Sequence, residues 1–279
     1  MEEIRLIGLD LDDTVLNRKK QLTPRVAAAI QAAIRRGIVV LPATGRALSG
    51  VPREFMQIPG VRYALTSNGA KVYDVAEDTE LYSDCFAPHE ALALLRMCEG
   101  FDLLASPYIN GAAYATPQQV ARYAEIATGP VLQYLQTSRR QVDDLAAFIK
   151  EGQYSVEKFS LLFFARPEYD RAWQAFLQDG CCTPTTFGGG NLELNTKTAN
   201  KGAALLALAG WLGIARSGVM AVGDGPNDVE MLRAAGTGVA MANAAPAALA
   251  VADQVAPPAD EEGVAVLLEE LLRRQFPEG

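Results

Sequence analysis

Two short apolar runs that end in aspartates constrain the fold of this chain more than any other feature of its sequence. The first run covers residues 4–9 and is followed directly by Asp10. The second covers residues 219–222 and is followed by Gly223 and Asp224. Nearly continuous apolar runs of this length are typical of strands that are buried on both faces, as in parallel sheets. Helical patterns follow both runs, so the sequence predicts an α/β fold in which strands and helices alternate.

The two outer thirds of the chain share this alternation of strand and helix patterns. In the first third, Thr23 is predicted as the N-cap of a helix that has Pro24 as its first residue and ends at Gly37. Strands are predicted at 38–41 and near 63–66. In the last third, helices are predicted from about 201, from about 226 and over 261–274, with strands at 219–222 and near 238–241.

The middle of the chain does not show the regular alternation of strand and helix; candidate hairpin strands are followed there by mixed helix and strand patterns. We interpret residues 83–187 as a separate α+β domain, after which the glycines at 188–190 mark the return to the first domain. A strand at 192–194 would then lead into the last third. The sequence therefore predicts a discontinuous main domain over 1–82 and 188–279, built as a doubly wound parallel sheet with the α+β domain inserted.

The charge balance and the hydropathy of the chain argue against two classes of partner. Acidic residues outnumber basic ones by 33 to 25, which gives a net charge of −8 and a pI near 4.9, whereas nucleic-acid-binding proteins usually carry a basic face. The longest nearly apolar stretch, residues 202–215, is shorter than the roughly 20 residues that a membrane-spanning helix needs. We therefore expect neither a nucleic-acid partner nor a membrane partner.

The cysteines indicate the cellular compartment of the protein, and the histidine content limits the catalytic mechanisms that it can use. The cysteines form no CxxC pair, and two of them are adjacent, where a disulfide would be strained; they are Cys85, Cys98, Cys181 and Cys182. Reduced thiols and the lack of a signal-peptide pattern predict a cytoplasmic protein. The single histidine, His89, excludes every mechanism that needs several histidines. Carboxylates must therefore perform any acid–base step.

A carboxylate-rich segment, Asp10-Leu11-Asp12-Asp13-Thr14, directly follows the first predicted strand. In open α/β sheets, ligands bind beyond the carboxyl ends of the strands, which is where this segment would lie. Because side chains alternate along an extended segment, we expect Asp10 and Asp12 to project the same way and to be close enough to share a cation. One carboxylate could then attack an electrophile while the other handles a proton. Aspartate-rich turns also occur without such a role, because they cap helices and loops.

A second acidic segment, Gly-Asp-Gly-Pro-Asn-Asp at 223–228, lies where another buried strand meets a helix. A helix cap needs a single carboxylate, whereas this segment carries Asp224, Asn227 and Asp228 within five residues. Oxygen donors without histidine suit a hard cation such as Mg²⁺ better than zinc or copper. This segment therefore predicts Mg²⁺ as the cofactor.

Two further segments carry groups that could bind phosphate. Thr44, Gly45 and Arg46 follow the second predicted strand, and a threonine hydroxyl with helix-start amides can hold phosphate oxygens. Lys201 opens a predicted helix; Lys197 is the alternative, but Lys201 stands at the start of the helical pattern and is favoured. Each segment alone is more often an ordinary turn or a surface lysine. Together with the acidic segments, they predict four strand ends in one sheet that offer the groups phosphoryl transfer requires.

Taken together, these motifs resemble the haloacid dehalogenase (HAD) superfamily, and within it the Cof-type sugar-phosphatase branch with a large C2-type cap. This family carries, in order, a DxDx[TV] motif, a Ser/Thr motif, a Lys motif and a GDxxND-type motif. The matching positions are Asp10, Asp12 and Thr14, then Thr44, then Lys201, and finally Asp224, Asn227 and Asp228. The resemblance implies a Rossmann-like HAD core of α/β class, with the inserted α+β domain as the cap that determines substrate specificity.

One residue departs from the family pattern. Asp13 stands where these phosphatases commonly have glycine. The substitution adds a negative charge beside the predicted site, where it can alter metal or substrate affinity.

The resemblance also implies roles for the acidic residues. A Mg²⁺-dependent phosphatase of this type hydrolyses a small phosphorylated metabolite, such as a sugar phosphate, through an aspartyl-phosphate intermediate. Asp10 is expected to be the nucleophile and Asp12 the general acid and base. The metal would be held by Asp10, the backbone carbonyl of Asp12 and Asp224, with Asp228 as a further ligand or just behind them.

Phosphate and substrate contacts follow from the same resemblance. Thr44 and Lys201 are expected to bind the phosphoryl oxygens, and Lys201 also to neutralise Asp10. Further contacts to the substrate, or to the groups that surround the metal, are expected from Gly45, Arg46, Asn68 and Asn227.

Two other functions are compatible with these residues. A phosphomutase would use the same aspartyl-phosphate and return the phosphate to a sugar. A non-catalytic regulatory protein would keep the metal and phosphate site without turnover. Release of inorganic phosphate distinguishes a phosphatase from both.

Overall fold

The computed structural model describes residues 3–186 and 190–277. The chain divides into two compact units, and each consists of more than one segment. The first unit comprises Met1–Gly45, Val51–Ser83 and Asn200–Gly279, and the second comprises Arg46–Gly50 and Asp84–Ala199.

The helices and strands alternate along the described ranges largely as their sequence patterns predict. The strands are β1 (Leu6–Leu9), β2 (Val39–Pro42), β3 (Tyr63–Thr66), β4 (Lys71–Asp74), β5 (Thr79–Ser83), β6 (Leu103–Ile109), β7 (Ala112–Ala115), β8 (Arg139–Gln141), β9 (Lys158–Phe163), β10 (Thr183–Thr185), β11 (Asn191–Asn195), β12 (Val219–Gly223), β13 (Thr237–Met241) and β14 (Gln254–Ala256). The α-helices are α1 (Pro24–Arg35), α2 (Arg53–Met56), α3 (Pro88–Cys98), α4 (Pro117–Arg122), α5 (Gly129–Thr137), α6 (Leu145–Gly152), α7 (Arg166–Asp179), α8 (Lys201–Trp211), α9 (Val229–Ala234), α10 (Pro246–Leu249) and α11 (Gly263–Gln275).

A parallel sheet of five strands forms the centre of the first unit, in the order β14-β13-β12-β1-β2. Leu9 at the end of β1 is in register with Val222 of β12 on one side and with Pro42 of β2 on the other. These three strands therefore end at one edge of the sheet. Every residue of β1 and β12 is buried, as expected for apolar runs without polar alternation. The predicted α/β fold with a parallel sheet is confirmed.

Helices cover both faces of this sheet, as in a doubly wound fold. On one face, Ile30 of α1 and Leu268 of α11 pack into the same core cluster as Ile7 of β1. On the other face, α8 and α9 contribute Leu205 and Met231 to a second cluster. Helix α1 begins after the N-cap Thr23, whose side chain accepts a hydrogen bond from the backbone N–H of Val26, as the sequence predicts.

Strands β3, β4 and β5 form a separate antiparallel sheet in the first unit. The predicted strand near 63–66 is therefore present, but its ladder partner is β4. An isolated parallel bridge between Ala43 and Leu65 links this region to the segment that follows β2.

The second unit is built on a six-stranded mixed sheet with the order β10-β11-β9-β6-β7-β8. Helices α3, α6 and α7 pack against one face, where Phe159 and Leu161 belong to the same cluster as Leu94 and Phe176. Leu104, which points to the other face, clusters with Leu135 of α5. This unit has the α+β texture that the sequence predicts for its middle section.

The strand predicted at 192–194 is present as β11, but it belongs to a different sheet from the one expected. It pairs with β9 and β10 in the second unit, with Leu194 in register with Phe159. The prediction that four strand ends of one sheet carry the site groups is therefore wrong for the lysine segment. An apolar run indicates a buried strand without specifying which sheet supplies its hydrogen bonds. The second unit also extends to Ala199, past the predicted boundary at 187; the predicted glycines 188 and 189 lie outside the described residues.

Two smaller observations bear on the expectations from composition. Within the described residues, the cysteines form no disulfide bond. Among the described residues, no helix combines the length and apolar character that crossing a bilayer requires.

Candidate active site

Asp10, Thr44 and Asp224 lie at the carboxyl edge of the five-stranded sheet. Asp10 directly follows β1, and its backbone N–H donates to the carbonyl of Val222 in β12 at 2.9 Å. Asp224 directly follows β12. Thr44 lies two residues beyond β2, where its N–H donates to the carbonyl of Leu65 at 2.9 Å and its side chain is buried. Parallel register therefore gathers three of the predicted segments at one edge.

Lys201 reaches the same edge from a helix. It is the first residue of α8, whose N-cap Asn200 accepts a hydrogen bond from the N–H of Ala203. Its fully buried ammonium lies 2.6 Å from Oδ1 of Asp10 and 2.6 Å from Oδ1 of Asp228. Lys197, the alternative considered in the sequence, belongs to the second unit.

A turn over Ser67–Gly69 holds the start of α8 in place. Gly69 has a φ of +95°, and a Cβ atom there would lie 2.2 Å from the backbone oxygen of Asn200. Only glycine permits both this backbone conformation and this close approach. Asn68, at a φ of 59°, accepts a hydrogen bond from Nδ2 of Asn227 at 3.1 Å. The two predicted contact residues Asn68 and Asn227 therefore lie together in this turn region.

The segment 223–228 is folded around the Asp228 carboxylate. Oδ2 of Asp228 accepts from the backbone N–H groups of Asp224, at 3.0 Å, and Gly225, at 2.8 Å. A Cβ atom on Gly223 would lie 2.5 Å from Cγ of Asp228, which explains the glycine at this position. Thr14 donates its hydroxyl to Oδ1 of Asp224 at 3.0 Å. The threonine of the first acidic segment thus orients the aspartate of the second, a contact that sequence spacing does not reveal.

Burial and mutual repulsion raise the pKa values of Asp10 and Asp224 at this site. Burial raises the pKa of Asp10 well above its usual range, the Lys201 charge opposes this effect, and Asp228 and Asp224 add to it. Burial and the charge of Asp228 raise the pKa of Asp224 to about 6. Burial disfavours the charged form of Lys201, but the carboxylates of Asp10 and Asp228 outweigh it and raise its pKa. One permanently charged ammonium therefore faces a group of carboxylates that it cannot fully neutralise.

This excess of negative charge suits a divalent cation. Asp10, Asp224 and Asp228 each offer a carboxylate oxygen, and these oxygens lie within 4.8 Å of one another. A donor set made only of oxygens fits a hard ion. The side chain of Asp12 is not part of this group. Its Oδ1 forms an ion pair with Lys20.

Asp12 and Asp13 occupy the loop after β1. The Asp12 side chain is 38% exposed, so its carboxylate can exchange protons with solvent or a ligand. Asp13 has a φ of 62°, a left-handed conformation that glycine adopts without strain. Lys20 forms ion pairs with both carboxylates, and nothing in the sequence pattern singled out this lysine. Asp13 also lines a cavity of about 270 Å³ together with Asp224 and Asn243.

Two predicted contact residues separate at the boundary between the units. Gly45 is the last residue of its segment in the first unit, whereas Arg46 belongs to the second. Arg46 donates from Nη1 to the carbonyl of Gly50 at 3.0 Å. The single histidine, His89, is exposed within α3 and lies in the second unit.

Comparison with known proteins identifies the family. A family model described as haloacid dehalogenase-like hydrolase matches residues 7–268. Phosphatase YwpJ of Bacillus subtilis is 29% identical over 96% of this chain and 100% of its own length. Putative phosphatase YxeH of the same organism is 30% identical over 96% of this chain and 98% of its own length. Pyridoxal phosphate phosphatase YbhA of Escherichia coli is 28% identical, over 86% of this chain and 88% of its own.

Solved structures agree with this result. The structure of a haloacid dehalogenase-like hydrolase from B. subtilis superimposes with a TM-score of 0.83 at 28% identity, covering 96% of this chain and 100% of that one. The subclass IIB sugar phosphatase BT4131 shares the fold with a TM-score of 0.79 at 20% identity, covering 95% of this chain and 98% of that one. The family match covers most of the chain, and Asp10 and Asp224 of the motifs lie at strand ends of the parallel sheet. The resemblance seen in the sequence is therefore confirmed: the chain belongs to the haloacid dehalogenase-like hydrolase family and is an enzyme of its phosphatase type.

Proposed function

We propose that this enzyme is a Mg²⁺-dependent phosphatase that hydrolyses a small phosphorylated metabolite, such as a sugar phosphate, through an aspartyl-phosphate intermediate. The observation that carries the proposal is the buried Lys201 ammonium, 2.6 Å from both Asp10 and Asp228, beside the Asp224 carboxylate. Such a group can hold a dianionic phosphate next to an anionic nucleophile. The name of the relative YbhA, a pyridoxal phosphate phosphatase, supports a small phosphorylated substrate.

In this proposal, Asp10 is the nucleophile. Lys201 engages its Oδ1, which leaves Oδ2 to attack phosphorus. As the bond from Oδ2 to phosphorus forms, the bond from phosphorus to the leaving oxygen breaks, and the carboxylate becomes a mixed anhydride. Lys201 and Thr44 would bind phosphoryl oxygens and stabilise the charge that moves onto them.

Asp12 is the proposed general acid and base. It would give its proton to the departing alkoxide in the first step. In the second step it would take a proton from the water that attacks phosphorus, which releases inorganic phosphate and restores Asp10. Its partly exposed carboxylate suits this exchange better than the buried carboxylates of the acidic group.

Asp10, the backbone carbonyl of Asp12 and Asp224 are the proposed cation ligands. When bound, Mg²⁺ would reduce the repulsion between the nucleophile and the phosphate. Both carboxylate oxygens of Asp228 already accept hydrogen bonds, Oδ1 from Lys201 and Oδ2 from two backbone amides. We therefore assign Asp228 the orientation of Lys201 and Asp224 in preference to a direct bond with the cation.

The remaining predicted residues would serve the substrate. Asn68 and Asn227 form a hydrogen-bonded pair beside the start of α8 and would contact the phosphoryl group or the groups around the cation. Gly45 and Arg46 would contact the substrate from the segment after Thr44. We assign the catalytic role to the first unit and substrate selection, the role of a cap, to the second.

The test compares Asp10→Asn with the wild-type enzyme and with Asp170→Asn, an exposed aspartate of α7. Phosphate release is measured on a panel of phosphorylated sugars and p-nitrophenyl phosphate, with Mg²⁺ and with EDTA. We expect release to need Mg²⁺, to be lost in Asp10→Asn although that variant remains folded at the assay temperature, and to persist in Asp170→Asn.

Three outcomes would contradict the proposal. Undiminished turnover by Asp10→Asn would show that Asp10 is not the nucleophile. Formation of a sugar-phosphate isomer without phosphate release would identify a phosphomutase. Binding of Mg²⁺ and phosphate without turnover of any panel member would identify a regulatory protein.

A further inference from the structure

The side chain of Asn243 links three loops of the first unit at the carboxyl edge of its five-stranded sheet. Its Nδ2 donates to the backbone carbonyl of Asp13 at 2.8 Å, and its Oδ1 accepts from the backbone N–H of Ala259 at 2.9 Å. Asp13 lies in the loop after β1, Asn243 follows β13, and Ala259 follows β14. One amide group therefore joins segments that lie 230 and 16 residues away from it along the chain.

The loop that carries Asn243 is itself held by its backbone. The N–H of Ala242 donates to the carbonyl of Ala256 in β14 at 2.8 Å. On the other side of Asn243, the N–H of Ala245 donates to the carbonyl of Asp224 at 2.8 Å. The Asn243 amide is therefore presented by a loop that is fixed at both ends and is bonded to the backbone of a proposed cation ligand.

The carbonyl that Asn243 binds belongs to a residue in a disfavoured backbone conformation. Asp13 has a φ of 62°, in the left-handed region, where the Cβ atom of any residue other than glycine is crowded. Such a residue keeps its conformation only where its surroundings hold it. Lys20 holds the Asp13 side chain through an ion pair, and Asn243 holds the Asp13 backbone.

This contact also fixes the peptide group on the other side of Asp13. The Cα atom of Asp13 joins two planar peptide groups, of which one contains the carbonyl of Asp12 and the other contains the carbonyl of Asp13. Because Asn243 holds the second group and φ is confined to the left-handed region, the first group is held as well. The Asp12 carbonyl is one of the proposed cation ligands, so Asn243 acts on the cation site through the backbone.

The contacts of Asp224, another proposed cation ligand, place this segment beside the cation site. Thr14, the residue after Asp13, donates its hydroxyl to Oδ1 of Asp224 at 3.0 Å. Asn243, Asp13, Ala259 and Asp224 line the same cavity of about 270 Å³. Residues that lie behind the ligands of a metal and orient them commonly determine its affinity. The Asn243 amide has the position and the hydrogen bonds of such a residue.

We propose that Asn243 is a positioning residue for the cation. By binding both the Asp13 carbonyl and the Ala259 N–H, it keeps the Asp12 carbonyl in the orientation that binds the ion. This inference rests on the proposed Mg²⁺-dependent function. It assigns a role in cation binding to a loop that lies outside all four sequence motifs.

The experiment titrates MgCl₂ into the metal-free full-length enzyme by calorimetry, and repeats the titration by phosphate release from p-nitrophenyl phosphate. Asn243→Ala should weaken Mg²⁺ binding roughly 10-fold, the lower end of the range for residues that orient metal ligands, because Asn243 is exposed. At saturating Mg²⁺, kcat and KM should return to within about twofold of wild type, since the lost contact serves the cation and not the substrate.

Ala259→Pro tests the other half of the bridge. It removes the N–H from which Asn243 accepts. The preceding Pro258, with a φ of −65° and a ψ of 158°, already has a conformation that suits a following proline. Ala259→Pro should weaken Mg²⁺ binding less than Asn243→Ala does. Added to Asn243→Ala, it should cause no further loss, because both changes remove the same bridge.

Asp253→Ala is the matched control for stability. Oδ2 of Asp253 accepts from the backbone N–H of Gly238 at 2.8 Å, so this side chain also joins the segments of β13 and β14, but at the amino edge of the sheet. Its replacement should leave Mg²⁺ binding and phosphate release unchanged. Melting temperatures in EDTA should show that all variants are folded at the assay temperature.

The outcomes separate this inference from the proposed function. Unchanged Mg²⁺ affinity in Asn243→Ala, or an equal loss of affinity in Asp253→Ala, would overturn the role of Asn243 while phosphatase activity stands. A kcat that stays low at saturating Mg²⁺, or a further loss when Ala259→Pro is added, would overturn it equally. If the wild-type enzyme binds Mg²⁺ but releases no phosphate, the proposed function fails and calorimetry alone decides the role of Asn243. If it binds no Mg²⁺, both fail.

Discussion

The ammonium of Lys20 lies 3.1 Å from Oδ2 of Asp13. Asp13 replaces the glycine that is common in this family, and its φ of 62° retains the backbone conformation that glycine favours. Lys20 also contacts Asp12, so one cation bridges two consecutive carboxylates. Burial lowers the pKa of Lys20, but the two aspartates outweigh this and raise it. Lys20 therefore offsets the charge that Asp13 adds beside the proposed site.

This pairing predicts opposite effects for the two single variants. Lys20→Met leaves two uncompensated carboxylates near an anionic substrate, and the added repulsion of about 1 kcal/mol should raise KM roughly fivefold. Asp13→Gly should lower KM by a similar factor, and the double variant should lie near wild type. Because the ion pair is nearly half exposed, stability should change by less than about 1 kcal/mol in each case. Steady-state kinetics and melting temperatures check this, and a double variant as impaired as Lys20→Met would contradict it.

Three glycines in or beside α8 should differ sharply in their tolerance of alanine. A Cβ atom would lie 2.2 Å from the Asn200 oxygen at Gly69 and 2.4 Å from the Glu230 oxygen at Gly202, but it would meet nothing within 4 Å at Gly210. Gly69→Ala and Gly202→Ala should each cost more than about 2 kcal/mol and lower kcat, because Lys201 lies between the two clashes. Gly210→Ala, in the same helix, should stabilise the protein by about 0.5–1 kcal/mol.

Denaturant unfolding and phosphate release measure these effects on the same preparations. Equal activity in Gly69→Ala and Gly210→Ala would show that the position of Lys201 does not depend on the turn at Ser67–Gly69.

Stabilisation by Mg²⁺ should grow between pH 5 and pH 7.5. In the metal-free protein, burial and Asp228 hold the pKa of Asp224 near 6, above its ordinary value of 3.8. The folded protein therefore keeps a proton that the unfolded chain releases, and the stability from this proton is lost as the pH rises from about 4 through about 6. Mg²⁺ needs the ionised carboxylate, so its affinity should rise over the same range.

Melting temperatures with Mg²⁺ and with EDTA at the two pH values give the shift due to the metal. Asp224→Asn should abolish most of this shift at both values. A metal-induced shift of the same size at pH 5 and pH 7.5 would contradict the role of Asp224.

Breaking the buried ion pair of Lys158 and Glu193 should destabilise the protein strongly, whereas replacing both residues with apolar ones should have a much smaller effect on stability. Lys158→Met leaves a carboxylate that is 4% exposed without its cation, which should destabilise the second unit by about 3–5 kcal/mol. Lys158→Met with Glu193→Leu should recover most of that loss, since neither charge is then buried. Urea unfolding followed by tyrosine and tryptophan fluorescence measures both variants, and a double variant no more stable than the single one would refute the prediction.

Local patterns in the sequence were sufficient for most helices and strands of the first unit, although α10 and β14 were not predicted. The N-cap Thr23 and Pro24 mark the start of α1, and the run ending at Leu9 marks β1, because capping and burial on both faces depend on near neighbours in the chain. The types of the residues at the strand ends were equally informative. Parallel strands bring their carboxyl ends to one edge, so Asp10 and Asp224 could be expected to lie close together.

Pairing between distant segments had no such local signal. The apolar run of β11 indicates a buried strand, but its partners are β9 and β10 of the second unit. The contacts of Lys20 with Asp12 and Asp13, and of Thr14 with Asp224, likewise depend on how loops close. Many side chains could satisfy those contacts, and sequence spacing does not select among them.

By itself, the amino-acid sequence determined the family, the α/β class and the chemical type of the acidic residues, since these depend on short motifs and on the periodicity of apolar residues. Only the tertiary structure decided that Lys201 is buried between Asp10 and Asp228, and that the Asn243 side chain joins the backbones of Asp13 and Ala259. Charges interact through space, and the distances that set their strength arise only when segments far apart in the chain pack together.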